Sequence, residues 1–206
     1  MDLYGQLLTR TDVYLLASIR LGGIFVTSPV FGSRYVPTQW KAAFSMLVAL
    51  VVLPLVPAPP GGPPATLWAW GAMAVKELAV GLILGYVANL VFVAVQVGGE
   101  LLDIEVGFGI VNIIDPQSGQ PIPLIGNFQQ LLAFLIFLII NGHHLLIATL
   151  VQSFQAIPLG LAVAGPGVEA ALISFFAAMF LAGVKLAAPV IGALFLANVA
   201  LVMTTN

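Results

Sequence analysis

The sequence predicts an all-α fold of the membrane-protein type, and three observations carry that prediction. Hydrophobic residues make up 61% of the 206-residue chain and charged residues only 7%, whereas a soluble domain carries about 25% charged residues. The mean hydropathy of +1.12 points the same way. The apolar residues fall in runs that reach or approach the roughly 20 residues that a helix needs to cross a bilayer. We therefore expect helices buried in lipid or in a tightly packed membrane complex.

Composition also bounds the organisation of the chain and the classes of partner. No shift in composition divides the chain, so residues 1–206 are predicted to form a single integrated helical unit. The formal net charge of −2 comes without a basic cluster, which argues against nucleic acid as a partner. The chain has no cysteine, which excludes a disulfide framework and thiolate metal sites.

The sequence contains no recognisable catalytic motif. There is no nucleophile elbow with an ordered Ser, His and Asp, no phosphate-binding loop and no zinc-ligand spacing. We therefore predict a protein that is not an enzyme, with no catalytic residues, no metal site and no cofactor.

The first two apolar runs flank a predicted loop. Val13–Gly32 carries Arg20 in its interior, and Ala42–Val56 ends in a proline-rich stretch. Proline lacks a backbone donor and is poorly accepted in helix interiors, so this stretch is predicted to be a loop. Its prolines are Pro54, Pro57, Pro59, Pro60, Pro63 and Pro64.

The third apolar run is longer than one bilayer requires. Thr66 is predicted to cap its start, and Trp68 and Trp70 suit the aromatic belt at a membrane or complex boundary. A continuous helix over Leu67–Gly99 would extend about 50 Å at 1.5 Å per residue. We therefore assign Leu78–Gly99, which has no charged residue, as the spanning part.

Turn-forming residues dominate Glu100–Pro123, which is predicted to be the least helical part of the protein. Beyond it, Leu124–Ile140 and Leu145–Ile157 are apolar arms joined by residues 141–144, a pattern typical of an αα-hairpin. Each arm is shorter than about 20 residues, so we expect the hairpin to pack against protein rather than to cross lipid alone.

The last apolar run, Glu169–Val202, follows a break at Gly160–Gly167. It contains Lys185 and Pro189, and the sequence stops shortly afterwards at Asn206. An end within apolar sequence predicts a truncated piece of a longer protein.

Small and charged residues within these runs are candidate packing sites. Gly81 and Gly85 form a GxxxG pattern that lets another backbone approach closely, and the alternative is a chance spacing in a glycine-rich chain. Arg20, Glu77 and Lys185 stand singly in apolar runs, where an unpaired charge costs at least about 2.5 kcal/mol. Each of these three charges should therefore have a partner within an assembly.

Two acidic residues follow the spanning part of the third run. Glu100 and Asp103 lie at i and i+3, which puts both on one face if the helix extends that far. Such a pair suits a proton relay, a cation site or an ion-pair face between subunits. Because no basic residue nearby completes a relay, a face toward a partner subunit is favoured.

Several motifs, taken in order, resemble the FliR family of flagellar export-gate subunits, whose injectisome counterparts are the SpaR, YscT and HrcT proteins. They cover nearly the whole chain, and the later ones resemble the flagellar branch more closely. The sequence stops before the family's last polar loop and hydrophobic hairpin, so that part is expected to be absent. The matching positions are Arg20, Ser28–Gly32, Val36–Pro37, Glu77, Gly81, Gly85, Gly98–Glu100, Gly107, Asp115–Pro116, Asn141–His143, Ser153–Phe154 and Ile157–Gly160.

This resemblance implies a core subunit of the flagellar type III export gate, in the bacterial inner membrane at the basal body. The implied partners are the FliP and FliQ subunits, an FlhB-type switch protein and membrane lipid, and the implied cargo is unfolded flagellar proteins. The implied fold is a set of helical hairpins, with a FliP-like part followed by part of a FliQ-like part. Stacking in a ring with neighbouring subunits would explain arms too short to cross lipid.

The segment Gly107–Pro123 is predicted to be a plug, a non-helical loop that projects into the channel and holds it shut. Irregular backbone at membrane depth persists only when it is buried in protein or lines a cavity, and members of the resembled family place a plug loop at the matching position. The alternative is an ordinary surface turn. The predicted plug residues are Gly107, Phe108, Gly109, Ile110, Val111, Asn112, Ile113, Ile114, Asp115, Pro116, Gly119, Pro121 and Pro123.

Two functions from other classes stay open at this point. Glu100, Asp103 and Lys185 in apolar context suit a small-solute or ion-coupled transporter, which an internal inverted repeat would favour, and we find no convincing repeat. His143 and His144 suggest an intramembrane metalloenzyme. Adjacent helical positions point about 100° apart and the H-E-x-x-H spacing is absent, so a turn at the hairpin tip is favoured.

Overall fold

Six α-helices contain most of the residues that the computed structural model describes, which are 3–29, 31–32, 36–62, 64–107, 123–161 and 166–205. A short 3-10 helix, Leu53–Leu55, follows the second of them. No strand occurs among these residues, and the prediction of an all-α fold is confirmed. The helices are α1 Leu3–Thr27, α2 Thr38–Val52, α3 Leu67–Val106, α4 Leu124–Ile139, α5 Gly142–Ala156 and α6 Pro166–Thr205.

Three stretches of the described chain are long and apolar enough to cross a membrane, namely Thr38–Leu55, Leu67–Val106 and Gly167–Thr204. α4 and α5 together make a fourth, broken candidate. α1 has 25 residues but is not among the candidates, because Arg10, Asp12 and Arg20 lie within it. By length and composition, the described part of the chain thus offers three or four membrane spans.

α3 is one continuous helix of 40 residues, about 60 Å long at 1.5 Å per residue. The predicted cap is confirmed, because Thr66 Oγ1 accepts a hydrogen bond from the Ala69 amide at 3.2 Å. The predicted change to turn structure at Glu100 is wrong, since the helix continues to Val106. Apolar residues still alternate with the acids there, and the helix ends only at Gly107, whose φ of +85° favours glycine.

α4 and α5 correspond to the two predicted arms, and the short break between them overlaps the connection that the sequence predicts. Ile140 stays near helical geometry, with φ −81° and ψ 9°. Asn141 leaves it, with a left-handed φ of +56° that Asn adopts more readily than most residues. The αα-hairpin itself stays a prediction.

Contacts within the chain group the residues into two compact units. Unit 1 comprises Met1–Asn89 and Asn141–Ala170, and unit 2 comprises Leu90–Ile140 and Ala171–Asn206. α3 and α6 each continue from one unit into the other. A single integrated helical unit over 1–206 stays a prediction.

The core of unit 1 is built around α1. Its buried residues recur every three or four positions, which places them on one face of the helix. The rings of Phe25, Phe31 and Phe44 extend this core, with centroids 4.8 to 5.3 Å apart. The buried apolar residues are Val13, Leu16, Ala17, Leu21, Ile24, Phe25, Val48, Ala49, Val52, Val56, Leu150, Phe154 and Leu159.

In unit 2, α3 packs against both α4 and α6. On the α4 side, Phe92 contacts Phe134 and Phe137, with ring centroids 4.7 and 5.4 Å away. On the α6 side, Leu90 and Ala94 bury against Met179. Glycines bring the backbones together at both contacts. An added Cβ at Gly99 would overlap Gly126 of α4. An added Cβ at Gly98 would lie 3.0 Å from the carbonyl oxygen of Gly183 in α6.

Candidate functional site

The most strongly buried polar site is an ion pair in unit 1 between Arg20 of α1 and Glu77 of α3. Arg20 Nε lies 2.6 Å from Glu77 Oε2, and both side chains are fully buried. The ring of Phe154 covers the guanidinium, with 4.5 Å between Cζ and the ring centroid. The sequence predicts that each charge needs a partner, and here each is the partner of the other.

The remaining polar atoms of the pair bind the end of α5 and the turn after it. Arg20 Nη1 donates to the Ser153 carbonyl at 3.1 Å and Nη2 to the Ile157 carbonyl at 2.9 Å. The negative end of the helix dipole favours a cation at this position. Glu77 Oε1 accepts a hydrogen bond from the Gly160 amide at 2.8 Å. Because desolvating two charges is costly unless their other hydrogen bonds are made, these contacts are what allow the pair to be buried.

Beside the ion pair, α1 and α3 cross with their backbones in contact. An added Cβ at Gly81 would overlap the Arg20 carbonyl, and one at Gly85 would lie 2.6 Å from the Ile24 carbonyl oxygen. Gly23 is the matching residue on α1, where a Cβ would lie 2.9 Å from a backbone carbonyl of α3. A helix does pack closely on the GxxxG pair, and it is α1 of the same chain. A role of these glycines in packing between subunits stays a prediction.

In unit 2 the acidic end of α3 caps the start of α4. The buried Asp103 accepts hydrogen bonds from the Ile125 and Gly126 amides, both at 3.0 Å. These are two of the amides that the first turn of a helix leaves without a partner. Glu100 is half-buried and accepts a hydrogen bond from Gln96 Nε2 at 3.0 Å. The two predicted acids thus lie on one helix and bind different groups.

Lys185 is separated from the residues just described. It lies on α6, its side chain is exposed, and no acceptor in the described part of the chain lies within hydrogen-bonding distance of its Nζ. Of the three single charges in apolar runs, Lys185 is the one that the described residues leave without a counter-charge.

The predicted plug falls mostly outside the described residues. Gly107 ends α3, and Pro123 precedes the first residue of α4. The hydrogen bonds that Asp103 accepts therefore join α3 to α4 next to both ends of this segment. The plug residues outside the described ranges are Phe108, Gly109, Ile110, Val111, Asn112, Ile113, Ile114, Asp115, Pro116, Gly119 and Pro121.

His143 and His144 lie in the first turn of α5, with ring centroids 4.2 Å apart. In the described ranges, no group of three His, Asp or Glu side chains is placed to hold a metal ion. The two histidines follow the break at Asn141, at the position where the sequence places the tip of the hairpin.

Sequence reasoning missed the backbone groups that complete these sites. The carbonyls of Ser153 and Ile157 carry no residue-type signal, so nothing in the sequence marks them as acceptors for Arg20. Gly23 and Gly126 do carry one, because glycine inside a helix costs about 1 kcal/mol and therefore calls for a packing reason.

Comparison with known proteins relates this architecture to protein export. Residues 12–205 match the family model described as bacterial export proteins, family 1. The chain is 38% identical over 191 residues to the flagellar biosynthetic protein FliR of Bacillus subtilis (strain 168), a match that covers 91% of this chain and 73% of the relative. Identity to the FliR protein of Escherichia coli (strain K12) is 30% over 198 residues, or 95% and 74% of the two chains. The FliR protein of Aquifex aeolicus (strain VF5) is 28% identical over 195 residues, a match that covers 93% of this chain and 74% of the relative.

Proposed function

This chain belongs to the bacterial export proteins, family 1, and from that membership we propose that it forms part of the channel of the flagellar type III export gate. It is a membrane component of the flagellar export apparatus, and its FliR family is not enzymatic. The observation that carries the proposal is the match to flagellar relatives over 91% and 95% of the chain.

The surface of α6 supports function within an assembly. Only 6% of its apolar window is buried within the chain, against 33% for the window of α3. Ile173, Phe180 and Phe195 are each more than half exposed, at 70%, 57% and 61%. Apolar surface of this extent needs a cover other than water, and lipid or other subunits supply it.

The proposed partners are the FliP and FliQ subunits and the FlhB-type switch protein, and the proposed cargo is unfolded flagellar proteins. The chain would contribute a FliP-like part followed by part of a FliQ-like part. The supporting observations are the ordered family motifs and the internal ion pair of unit 1. Arg20 and Glu77 neutralise each other there, so neither charge needs a partner from another subunit.

We also propose that Gly107–Pro123 acts as the channel plug. Its glycines and prolines disfavour helix, and its apolar residues would exclude water and ions from a pore. The contacts at its ends support the proposal, since Asp103 ties α3 to α4 and Gly99 packs on Gly126. A loop closed at its base by these contacts would yield to a passing polypeptide and return.

The transporter alternative has less support. Asp103, one of the acids that suggested it, is committed to two backbone amides of α4. Glu100, the other acid, is half-buried and accepts a hydrogen bond from Gln96 of the same helix. A carboxylate held as Asp103 is held cannot bind a coupling ion without giving up the amides at the start of α4.

Co-purification tests the proposed assembly. The full-length protein would carry an affinity tag and be produced together with the other export-gate subunits, then extracted in mild detergent. We expect FliP and FliQ subunits to be retained in the purified complex. A full-length protein that is extracted in folded form and retains neither of them would rule the assembly out.

A further inference from the structure

α6 carries a positive charge at the centre of an apolar segment. Lys185 lies midway along the 38-residue stretch Gly167–Thr204. Each end of that stretch is about 27 Å away at 1.5 Å per residue, so the ammonium group cannot extend to the polar ends. A lysine at such a position is strongly disfavoured in hydrocarbon unless a counter-charge meets it.

The Lys185 side chain points away from the rest of unit 2. The buried positions nearest to it on α6 are Met179, Gly183 and Ala187, and Gly183 packs against the Ala94 carbonyl of α3. Successive residues of a helix turn by about 100° around its axis. Lys185 is two residues from Gly183 and two from Ala187, so by the shorter arc it lies about 160° from each of them. The lysine is therefore on the opposite face of α6, where none of the described residues of unit 2 covers it.

Small residues make up much of this outer face. Ala178, Ala182, Ala188 and Gly192 lie within about 60° of Lys185 around the helix axis and are all exposed, as are the larger Leu181 and Pro189 between them. A Cβ added at Gly192 would meet nothing within 4 Å. Small side chains of this kind let a second helix approach α6 closely enough for its side chains to reach the lysine. We call Ala178, Ala182, Lys185, Ala188 and Gly192 the Lys185 face.

We propose that the Lys185 face binds a membrane helix of another export-gate subunit, and that this helix carries a carboxylate opposite Lys185. The inference rests on the proposed function, because it assumes a multi-subunit gate. Charge complementarity identifies the occupant: lipid tails offer no anion at this depth, whereas a buried Asp or Glu on a neighbouring helix offers both a charge and hydrogen-bond acceptors.

The acids of this chain that the structure shows as buried are already committed. Glu77 binds Arg20 and the Gly160 amide, and Asp103 binds two amides of α4. The other described acids of the two long helices, Glu100, Glu105 and Glu169, lie within about 9 Å of a helix end, whereas Lys185 lies midway along α6. The partner is for this reason expected to be a different subunit.

Two substitutions of Lys185 test the role of the charge in the full-length, co-produced complex. We expect Lys185→Met, which keeps the length and removes the charge, to reduce the yield of co-purified partner subunits by about tenfold or more, because it leaves a buried carboxylate unpaired. Lys185→Arg keeps the charge and should retain most of the yield. Ile173→Met, at an exposed position about 120° from Lys185 around the same helix, is the matched control and should change nothing.

A cross-linking measurement tests the proposal without altering Lys185. A photoreactive amino acid at Ala188 should cross-link the protein to a membrane helix that carries an Asp or Glu within one turn of the linked residue. Cross-links only to lipid, to a helix without an acid or to a second copy of this chain would overturn the proposal. So would normal assembly of Lys185→Met. If the unmodified protein assembles with other subunits in these experiments, such results leave the proposed function standing; if it assembles with none, both fail.

Discussion

At the scale of single residues, the Arg20–Glu77 pair separates what a sequence can specify from what it cannot. A charge inside an apolar run predicts a partner, because an unpaired charge there is costly. The identity of that partner is not predictable, since 57 positions separate the two residues and the other acceptors of Arg20 are backbone carbonyls. The same argument applies to Lys185, whose need for a counter-charge is visible and whose counter-charge lies elsewhere.

Removing one member of this pair should be more damaging than removing both. We expect Arg20→Met to lower the free energy of unfolding by about 3–5 kcal/mol, because it leaves Glu77 buried without a counter-charge. The double variant Arg20→Met with Glu77→Leu should recover part of that loss. Thermal unfolding in detergent measures both, and Arg10→Met, at an exposed position of the same helix, is the control. A double variant no more stable than the single one would contradict this account of the pair.

The glycine crossing of α1 and α3 gives a second residue-level prediction. Gly81→Ala should destabilise the protein by about 1–3 kcal/mol, because its Cβ meets the Arg20 backbone, which cannot move aside as a side chain can. Leu at both Gly81 and Gly85 should block assembly by forcing the two helices apart. Gly71→Ala, on the same helix with nothing near the added Cβ, is the matched control and should be neutral or slightly stabilising. If Gly81→Ala and Gly71→Ala were equally stable to heat, close packing of α1 on α3 at Gly81 would be contradicted.

At the scale of helices, the sequence predicts apolar lengths well and boundaries less well. The cap at Thr66 is predicted correctly, because a threonine before an apolar run has a local physical role. The helical ending of α3 is missed, because the role of Asp103 there is explained only by its distant partners on α4. The break between α4 and α5 is predicted at the right position, since glycine and polar residues follow the apolar arm there.

Asp103 acts as a cap supplied by another helix, and its removal should loosen the start of α4. We expect Asp103→Ala to cost about 1–2 kcal/mol, the usual range for a lost cap. Hydrogen exchange of the Ile125 and Gly126 amides should become faster while exchange at the centre of α4 changes little. Glu105→Ala, at an exposed position on the same helix, is the control. Unchanged exchange at both amides would show that other groups satisfy them.

At the scale of the whole molecule, composition alone predicts a membrane-type helical protein, and the ordered motifs predict its family. What the sequence of one chain does not contain is the set of surfaces that cover α6, because those surfaces belong to lipid and to other subunits. The ion pair inside unit 1 needs no partner from outside the chain, whereas the exposed apolar length of α6 does.

We propose that this protein helps to form an export channel and that Gly107–Pro123 closes it. The most direct measurement deletes Gly109–Gly119 from the full-length protein in an assembled gate and records ion or small-molecule leakage across the membrane. The account predicts leakage with the complex still assembled, because the deleted residues lie between α3 and α4 while the Asp103 contacts that join those helices are kept. A membrane that stays tight around a normally assembled gate would contradict it and would assign closure of the pore to another element.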